Sequence, residues 1–430
     1  MQAVILCGGL GTRLSSVALD IPKSMMPIGT KPLLQHQVEL LKRYGVTEII
    51  FIVNHLKENI QVHFGNGSHW GLEIAYYEEK TPLGTVGGIK NIEDHLADNF
   101  IVLYGDVMVD MDINRLMQFH QGNQSDCTLV LHPNDHPHDS DLVELNKENR
   151  IIAFHSKPHD NNKYYQNLVN AGLYVMRKKV LHHLEPNKKA DFGKDVFPVI
   201  LHNLKLMGYN TSEYLKDMGT PQRLEQVESD FSSGKIQVRN LSKKQKAIFL
   251  DRDGVLNEDT DLVKSPEELM VYPFAGEAVK KINDSNYIAI VITNQSVVAR
   301  NLCTEADLRI IHNKLDTILG DANAKIDALY YCPHHPHGGF PEENPKYKID
   351  CCCRKPKPGM LLDAAKDFNL DLSQCWFIGD TERDIIAGKA AGVKTIGVKT
   401  GRAMKGSSVE PDFVKADLVE AVNFILRPEK

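Results

Sequence analysis

Short apolar runs rich in β-branched residues recur along the chain. Ala3-Val4-Ile5-Leu6, Glu48-Ile49-Ile50-Phe51-Ile52-Val53, Phe100 to Leu103, Ala247-Ile248-Phe249-Leu250 and Ile288-Ala289-Ile290-Val291-Ile292 each read as a buried strand, and stretches of helical periodicity alternate with them. This alternation predicts an α/β protein built of βαβ units with mainly parallel sheets. Twice a strand runs straight into residues that carry chemistry: Cys7-Gly8-Gly9 after the first, and Asp251-Arg252-Asp253-Gly254 after Leu250. Each looks like the opening strand of a domain. Between them Phe231-Ser232-Ser233-Gly234 closes a helical pattern, and the following residues are polar and basic with little periodicity. The pattern therefore predicts domains at 1–233 and 246–430 joined by a linker at 234–245.

Composition narrows the class. The 430 residues are 42% hydrophobic and 25% charged, which excludes a disordered, collagenous or coiled-coil chain. A net charge of −6 and a pI near 6.3 give no basic footprint for nucleic acid, so anionic substrates would have to be met by local positive groups. No apolar run approaches the ~20 residues of a membrane span. The expectation is a cytoplasmic protein with no membrane partner. Four of the eight cysteines crowd between Cys332 and Cys353, which suggests a metal rather than disulfides.

In the first half, the glycines of Gly8-Gly9-Leu10-Gly11-Thr12-Arg13 let the backbone approach a triphosphate, and Arg13 adds fixed positive charge. Alone, such a loop reads equally as a plain strand-to-helix turn. It is followed by Pro22-Lys23, Lys31-Pro32, Pro82-Leu83-Gly84-Thr85-Val86-Gly87-Gly88, Tyr104-Gly105-Asp106, Asn170-Ala171-Gly172-Leu173-Tyr174 and Lys216-Asp217-Met218-Gly219-Thr220-Pro221. With these motifs in order, residues 1–232 resemble the sugar-1-phosphate nucleotidyltransferases, and among them the mannose-1-phosphate and heptose-1-phosphate guanylyltransferases. The resemblance implies a Rossmann-like, GT-A-like domain in which a sugar-1-phosphate oxygen attacks the α-phosphorus of a nucleoside triphosphate and expels pyrophosphate. It also implies that Asp106 and Asp217 hold Mg²⁺, that Arg13 and Lys23 sit on the triphosphate with Gly8, Gly9, Gly11 and Thr12, and that Lys157 meets the sugar phosphate. Gly84 and Asn170 fall among the substrate-binding positions. Taken singly, Asp106 also reads as a strand-end cap and Lys157 as a solvated lysine. Glu79 stands where the family faces the base, and a carboxylate accepts from the N–H donors of guanine, which points to GTP; an exposed acid at a strand end is the plainer alternative. Ser156-Lys157-Pro158 departs from the family's Glu-Lys-Pro, so an acid that normally contacts sugar hydroxyls is missing.

In the second half, Asp251 and Asp253 are two residues apart just beyond a buried strand, and the turn at Gly254 would let one carboxylate and one backbone carbonyl meet a single Mg²⁺. Ile292-Thr293-Asn294-Gln295, Arg354-Lys355-Pro356 and Phe377-Ile378-Gly379-Asp380, then Asp384, follow in order. Residues 246–430 thus resemble the haloacid dehalogenase phosphatases, implying a capless Rossmannoid domain. By that resemblance Asp251 is the nucleophile, and Asp253 is an acid and base with its pKa raised by its neighbour. Thr293 and Lys355 hold the phosphoryl group, and Asp251, Asp253 and Asp380 form the Mg²⁺ site. Cys332-Pro333-His334 and Cys351-Cys352-Cys353 offer two ligand pairs, each spaced i and i+2, so Cys332, His334, Cys351 and Cys353 could enclose a structural Zn²⁺. His335, His337 and Cys352 are rival ligands. Together these motifs resemble the zinc-containing D-glycero-D-manno-heptose 1,7-bisphosphate 7-phosphatases, whose nearest relatives are the histidinol-phosphate phosphatases. A short loop near Asp259, Thr260, Asp261 and Leu262, together with the zinc loop, would select the substrate, and Asn294 and Arg354 fall among the substrate-binding positions. Val297-Val298-Ala299-Arg300-Asn301 lacks both glycines of that branch's loop.

Put together, the halves imply a bifunctional enzyme using heptose bisphosphate, heptose 1-phosphate and GTP. A histidinol-phosphate phosphatase joined to another nucleotidyltransferase, or a transferase half that only binds sugar nucleotides, are the alternatives.

Overall fold

The computed structural model describes residues 1–8, 21–338 and 341–427. The chain divides into two compact units. One comprises Met1–His132, Asp141–Ser156 and Leu168–Ser242; the other comprises Pro133–Ser140, Lys157–Asn167 and Lys243–Lys430.

The first unit is organised by a nine-stranded sheet. Along its main path the strands are Ile151–His155, Leu142–Leu145, Val169–Arg177, Asn99–Tyr104, Gln2–Leu6, Glu48–Val53 and Glu73–Glu78, with Cys127–His132 and Leu206–Asn210 joined at the side. Period-two alternation divides the core: Ala3, Ile5, Phe51, Ile101 and Leu103 pack on one face, Val4, Ile50, Ile52, Phe100 and Val102 on the other. The helix Leu33–Arg43 covers the first face with Leu34, Val38 and Leu41.

The expected parallel character holds only for the strands on either side of Gln2–Leu6 and for the pairs Glu48–Val53 with Glu73–Glu78 and Cys127–His132 with Leu206–Asn210. Val169–Arg177 runs antiparallel to its neighbours, and Leu142–Leu145 pairs antiparallel with Ile151–His155. The turn 146–150 between the last two is far too short for the crossover that a parallel pair needs.

Of the stretch expected as a linker, residues 234–242 are ordered on the first unit and 243–245 group with the second. Lys235–Val238 forms a helical turn whose buried Ile236 packs with Met26, Ile28, Leu33 and Val227. Asn240 Nδ2 donates to Asp110 Oδ1 at 2.7 Å, and the Leu241 N–H donates to Glu213 Oε1 at 2.8 Å. Two of its polar groups are thus spent on buried acids rather than on water.

The second unit holds a six-stranded sheet, parallel throughout, in the order Ala328–Cys332, Tyr287–Asn294, Lys246–Leu250, Trp376–Gly379, Lys394–Val398, Phe413–Lys415. Its carboxyl ends carry Cys332, Asn294, Asp251 and Asp380 side by side, where ligands bind in open α/β sheets. The segments 133–140 and 157–167 pack into this unit: Gly320 has room only for a hydrogen against Pro137, and Asn313 Nδ2 donates to the Tyr164 carbonyl at 3.2 Å. Among the described residues no helix is long and apolar enough to cross a membrane.

Candidate active sites

In the second unit three acids converge. The buried Asp251 follows Leu250, and its N–H is held by the Ile378 carbonyl of the adjacent strand at 3.0 Å. Asp380 follows Gly379, and Asp384 lies one turn into the helix Glu382–Ala391. One carboxylate oxygen from each lies within 4.8 Å of the others. The buried Lys355 ammonium stands 2.8 Å from Asp251 Oδ1 and 2.6 Å from Asp384 Oδ1, and donates to the Ile292 carbonyl at 2.9 Å.

One cation among three carboxylates leaves the pocket anionic. Burial, and then the charge of Asp384, pushes Asp251 above the usual carboxylate range, although Lys355 opposes this. Burial raises Asp380 to about 7. Its Oδ1 is buried and has no hydrogen-bond partner among the described residues, while Oδ2 accepts from the Arg402 N–H at 2.7 Å. An unpaired acid oxygen in an anionic, oxygen-lined pocket fits a hard divalent cation such as Mg²⁺.

Asp384 was noted in the sequence without a role. Its signal is its place four residues after Asp380, where a helix's first turn returns to the strand end. The structure groups Asp384, not the Asp253 side chain, with Asp251 and Asp380. Asp253 instead accepts from Arg252 Nη2 at 2.8 Å, Asn257 Nδ2 at 2.9 Å and Gln295 Nε2 at 2.8 Å. Burial alone would raise its pKa, but the charge of Arg252 and these hydrogen bonds outweigh it and hold the group below its ordinary value. The expectation of a raised Asp253 is therefore corrected: its nearest charged neighbour is a guanidinium, not an acid.

Thr293 is buried beside Gln295, whose Nε2 donates to its hydroxyl at 2.8 Å. Asn294 braces Lys355, exchanging Nδ2 with the Lys355 carbonyl and Oδ1 with its N–H, both at 3.0 Å. Asp259 Oδ2 accepts from Arg402 Nε at 2.6 Å, a partner that no motif announced.

The cysteine cluster is assembled. Sγ of Cys353 lies 3.2 Å from that of Cys332 and 3.1 Å from that of Cys351, and His334 Nδ1 lies 3.7 Å from Cys332 and 3.5 Å from Cys353. A tetrahedral Zn²⁺ with Zn–S of about 2.3 Å needs ligands of this kind at little more than these separations, so the donor set fits. Cys352 is exposed, and His335 and His337 are not in the group. Arg354 Nη1 donates to the His334 carbonyl at 2.9 Å, tying the cluster to the residue before Lys355.

In the first unit, Gly105 admits the Leu6 carbonyl to its N–H at 2.9 Å, a contact that a Cβ would obstruct, and Asp106 follows. Strand Tyr214–Asp217 pairs with Val107–Asp110, and the Met218 N–H donates to the Asp106 carbonyl at 2.9 Å, so Asp217 stands alongside Asp106. Lys23 forms an ion pair with Asp106. For Asp217, burial is outweighed by Arg223, whose Nη1 lies 2.6 and 2.8 Å from its two oxygens, so its pKa falls. The structure thus gathers Lys23, Asp106 and Asp217; Arg223 is an addition. Two carboxylates of this kind suit Mg²⁺ shared with phosphates.

Glu79 is not the exposed strand-end acid of the plainer reading. It is buried, its pKa is raised by that burial against the N–H groups of Leu83 and Gly88, and it packs against Gly8 and Gly88. Gly84, at φ +76°, meets the Ala190 backbone, and Asn170 Nδ2 donates to Tyr174 Oη at 2.9 Å. Lys157 belongs to the second unit's segment 157–167 and donates to Asp139 Oδ1 at 2.8 Å. Gly9, Gly11, Thr12 and Arg13 lie outside the described residues.

Comparison with known proteins finds a different family in each half of the chain. The nucleotidyl transferase family model matches residues 2–234, and a model described as HAD-hydrolase-like matches 352–421. A D-glycero-β-D-manno-heptose-1,7-bisphosphate 7-phosphatase of Haemophilus ducreyi is 37% identical over 42% of this chain and 98% of its own length. The chain belongs to both families. A mannose-1-phosphate guanylyltransferase of Mycobacterium tuberculosis is 34% identical over 54% of the chain, which spans 65% of that protein's length. Among solved structures, HddC of Yersinia pseudotuberculosis is 28% identical, with a TM-score of 0.47, over 54% of this chain and 99% of its own.

Proposed function

We propose that the chain carries two consecutive activities. Residues 246–430 hydrolyse the 7-phosphate of D-glycero-D-manno-heptose 1,7-bisphosphate. Residues 1–233 then transfer GMP from GTP to D-glycero-α-D-manno-heptose 1-phosphate, and the product is a GDP-heptose. The observation that carries the reading is the buried trio Asp251, Asp380 and Asp384 around Lys355. The Haemophilus and mycobacterial relatives supply the substrate classes. A phosphatase that leaves a sugar 1-phosphate and a transferase that consumes one are successive steps.

In the phosphatase site Asp251 attacks phosphorus and becomes an aspartyl phosphate, dividing hydrolysis into two easier displacements. Lys355 and Thr293 hold the phosphoryl oxygens. Asp253 gives a proton to the leaving oxygen and later takes one from water. Bound by Asp251, Asp380 and Asp384, Mg²⁺ would offset the repulsion between the nucleophile and the phosphate. A zinc ion on Cys332, His334, Cys351 and Cys353 would be structural, fixing Arg354 and Lys355.

In the transferase site positioning and charge neutralisation suffice, with no protein nucleophile. Lys23 meets the triphosphate, Asp106 and Asp217 would hold a divalent ion that neutralises phosphate charge, and Glu79 carries the preference for guanine.

The test is the variant Asp251→Asn. We expect it to release no phosphate from the bisphosphate yet to form pyrophosphate from heptose 1-phosphate and GTP at the wild-type rate. Loss of both would contradict separate sites. Phosphate release from histidinol phosphate but not from the heptose would overturn the assigned substrate.

A further inference from the structure

The environment of Asp253 carries a consequence for the order of events in the phosphatase site. Arg252 is fully buried, and among the described residues its one ion pair is with Asp253. Its Nε and Nη2 donate to Oδ1 at 3.2 and 2.8 Å, and Nη2 also to Oδ2 at 3.0 Å. Asn257, also fully buried, adds Nδ2 to Oδ1, and its own position is fixed by its N–H on the Arg252 carbonyl and its carbonyl on the Gly254 N–H. Gln295 Nε2 bridges Asp253 Oδ2 and Thr293 Oγ1, at 2.8 Å from each. Swinging Asp253 away would strand a buried guanidinium whose Nη1 already lacks a partner among the described residues, which is strongly disfavoured. The carboxylate is therefore fixed relative to the hydroxyl that meets the phosphoryl group.

Resting on the phosphatase reading, we infer that Arg252, Asn257 and Gln295 are positioning residues that hold Asp253 for the second displacement. In the first displacement an Asp251 oxygen bonds to phosphorus and the ester P–O bond breaks, its electron pair leaving with the sugar oxygen. In the second, a water oxygen bonds to phosphorus, its proton passes to Asp253, and the P–O bond to Asp251 breaks with its pair returning to that carboxylate. Inorganic phosphate is released. A leaving group that needs no proton isolates the second step.

The experiment uses the full chain with Mg²⁺ and p-nitrophenyl phosphate. In Gln295→Ala and in Arg252→Lys, which keeps the charge but loses the fork, steady-state turnover should fall by about 10²-fold. The first turnover should stay at the wild-type rate, giving a burst near one equivalent and a phosphoryl group on Asp251 detectable by mass spectrometry after acid quenching. If the first turnover slows as much as the steady state in Gln295→Ala, or no phosphoprotein accumulates, the positioning role is lost. A wild-type chain that releases no p-nitrophenol would instead sink the phosphatase reading itself.

Discussion

Two glycines show how closely the phosphatase site is packed. Gly254 and Gly401 adopt φ of +81° and +57°, and a Cβ on either would stand 2.3 Å from Asp380 Oδ2. Gly254→Ala should therefore both strain the backbone, by about 1–2 kcal/mol, and displace a carboxylate. We expect phosphate release to collapse while pyrophosphate release persists; unchanged phosphate release would show that Asp380 is dispensable. Asp251 and Asp380 are legible in the sequence because each directly follows an apolar strand. Asp384 is legible as a position but not as a member of the acidic trio, since it sits in a helix and its Oδ2 also caps Thr381 at 2.6 Å. Nor could spacing show that Arg252, adjacent in sequence, would dominate the surroundings of Asp253.

At the scale of elements, two clusters of polar groups bear on the segments around them. The cysteine cluster should bind one zinc per chain, and Cys353→Ser should lose it and expose the loop on either side of Pro345–Tyr347 to rapid amide exchange. Equal protection in zinc-free protein would refute a structural role. In the first unit, Glu213 Oε1 accepts the N–H of Asp112 at 2.6 Å and of Leu241 at 2.8 Å, and Oε2 accepts from Thr211 Oγ1 at 3.0 Å. Burial, outweighing these bonds, raises its pKa from 4.5 to about 7. The native state thus keeps a proton that the unfolded chain gives up, so this stability is full below pH 4.5 and is lost as pH rises to 7, about 3 kcal/mol in all. Glu213→Gln can keep the two bonds accepted by Oε1 and reverse the third, its Nε2 donating to Thr211 Oγ1, without the titrating proton. Its urea midpoint at pH 8 should rise, and the slope between pH 4.5 and 7 should flatten; an unchanged slope would assign the titration elsewhere. The strands were legible from their apolar runs, but antiparallel pairing was not, because direction is set by connection length rather than by strand composition. The ordering of 234–242 was hidden for a similar reason: two buried apolar residues, Ile236 and Leu241, and two buried acids anchor a segment that reads as polar.

At the scale of the molecule, Asp251, Asp253, Thr293, Lys355, Asp380 and Asp384 all lie in the second unit, and Lys23, Asp106 and Asp217 in the first. In each set the acids Asp251, Asp380, Asp106 and Asp217 come from motifs at strand ends. What the sequence did not disclose is that the segments 133–140 and 157–167 group with the second unit, since the Gly320 and Asn313 contacts that hold them involve residues far apart in the chain. The central claim is that one chain performs two successive reactions. It is tested most directly by mass spectrometry of the products formed from heptose 1,7-bisphosphate, as each anomer, with Mg²⁺ and a mixture of GTP, ATP, CTP and UTP. The account predicts GDP-heptose, with one phosphate and one pyrophosphate released per molecule; heptose 1-phosphate accumulating without any nucleotide sugar, or a nucleotide sugar carrying another base, would contradict it.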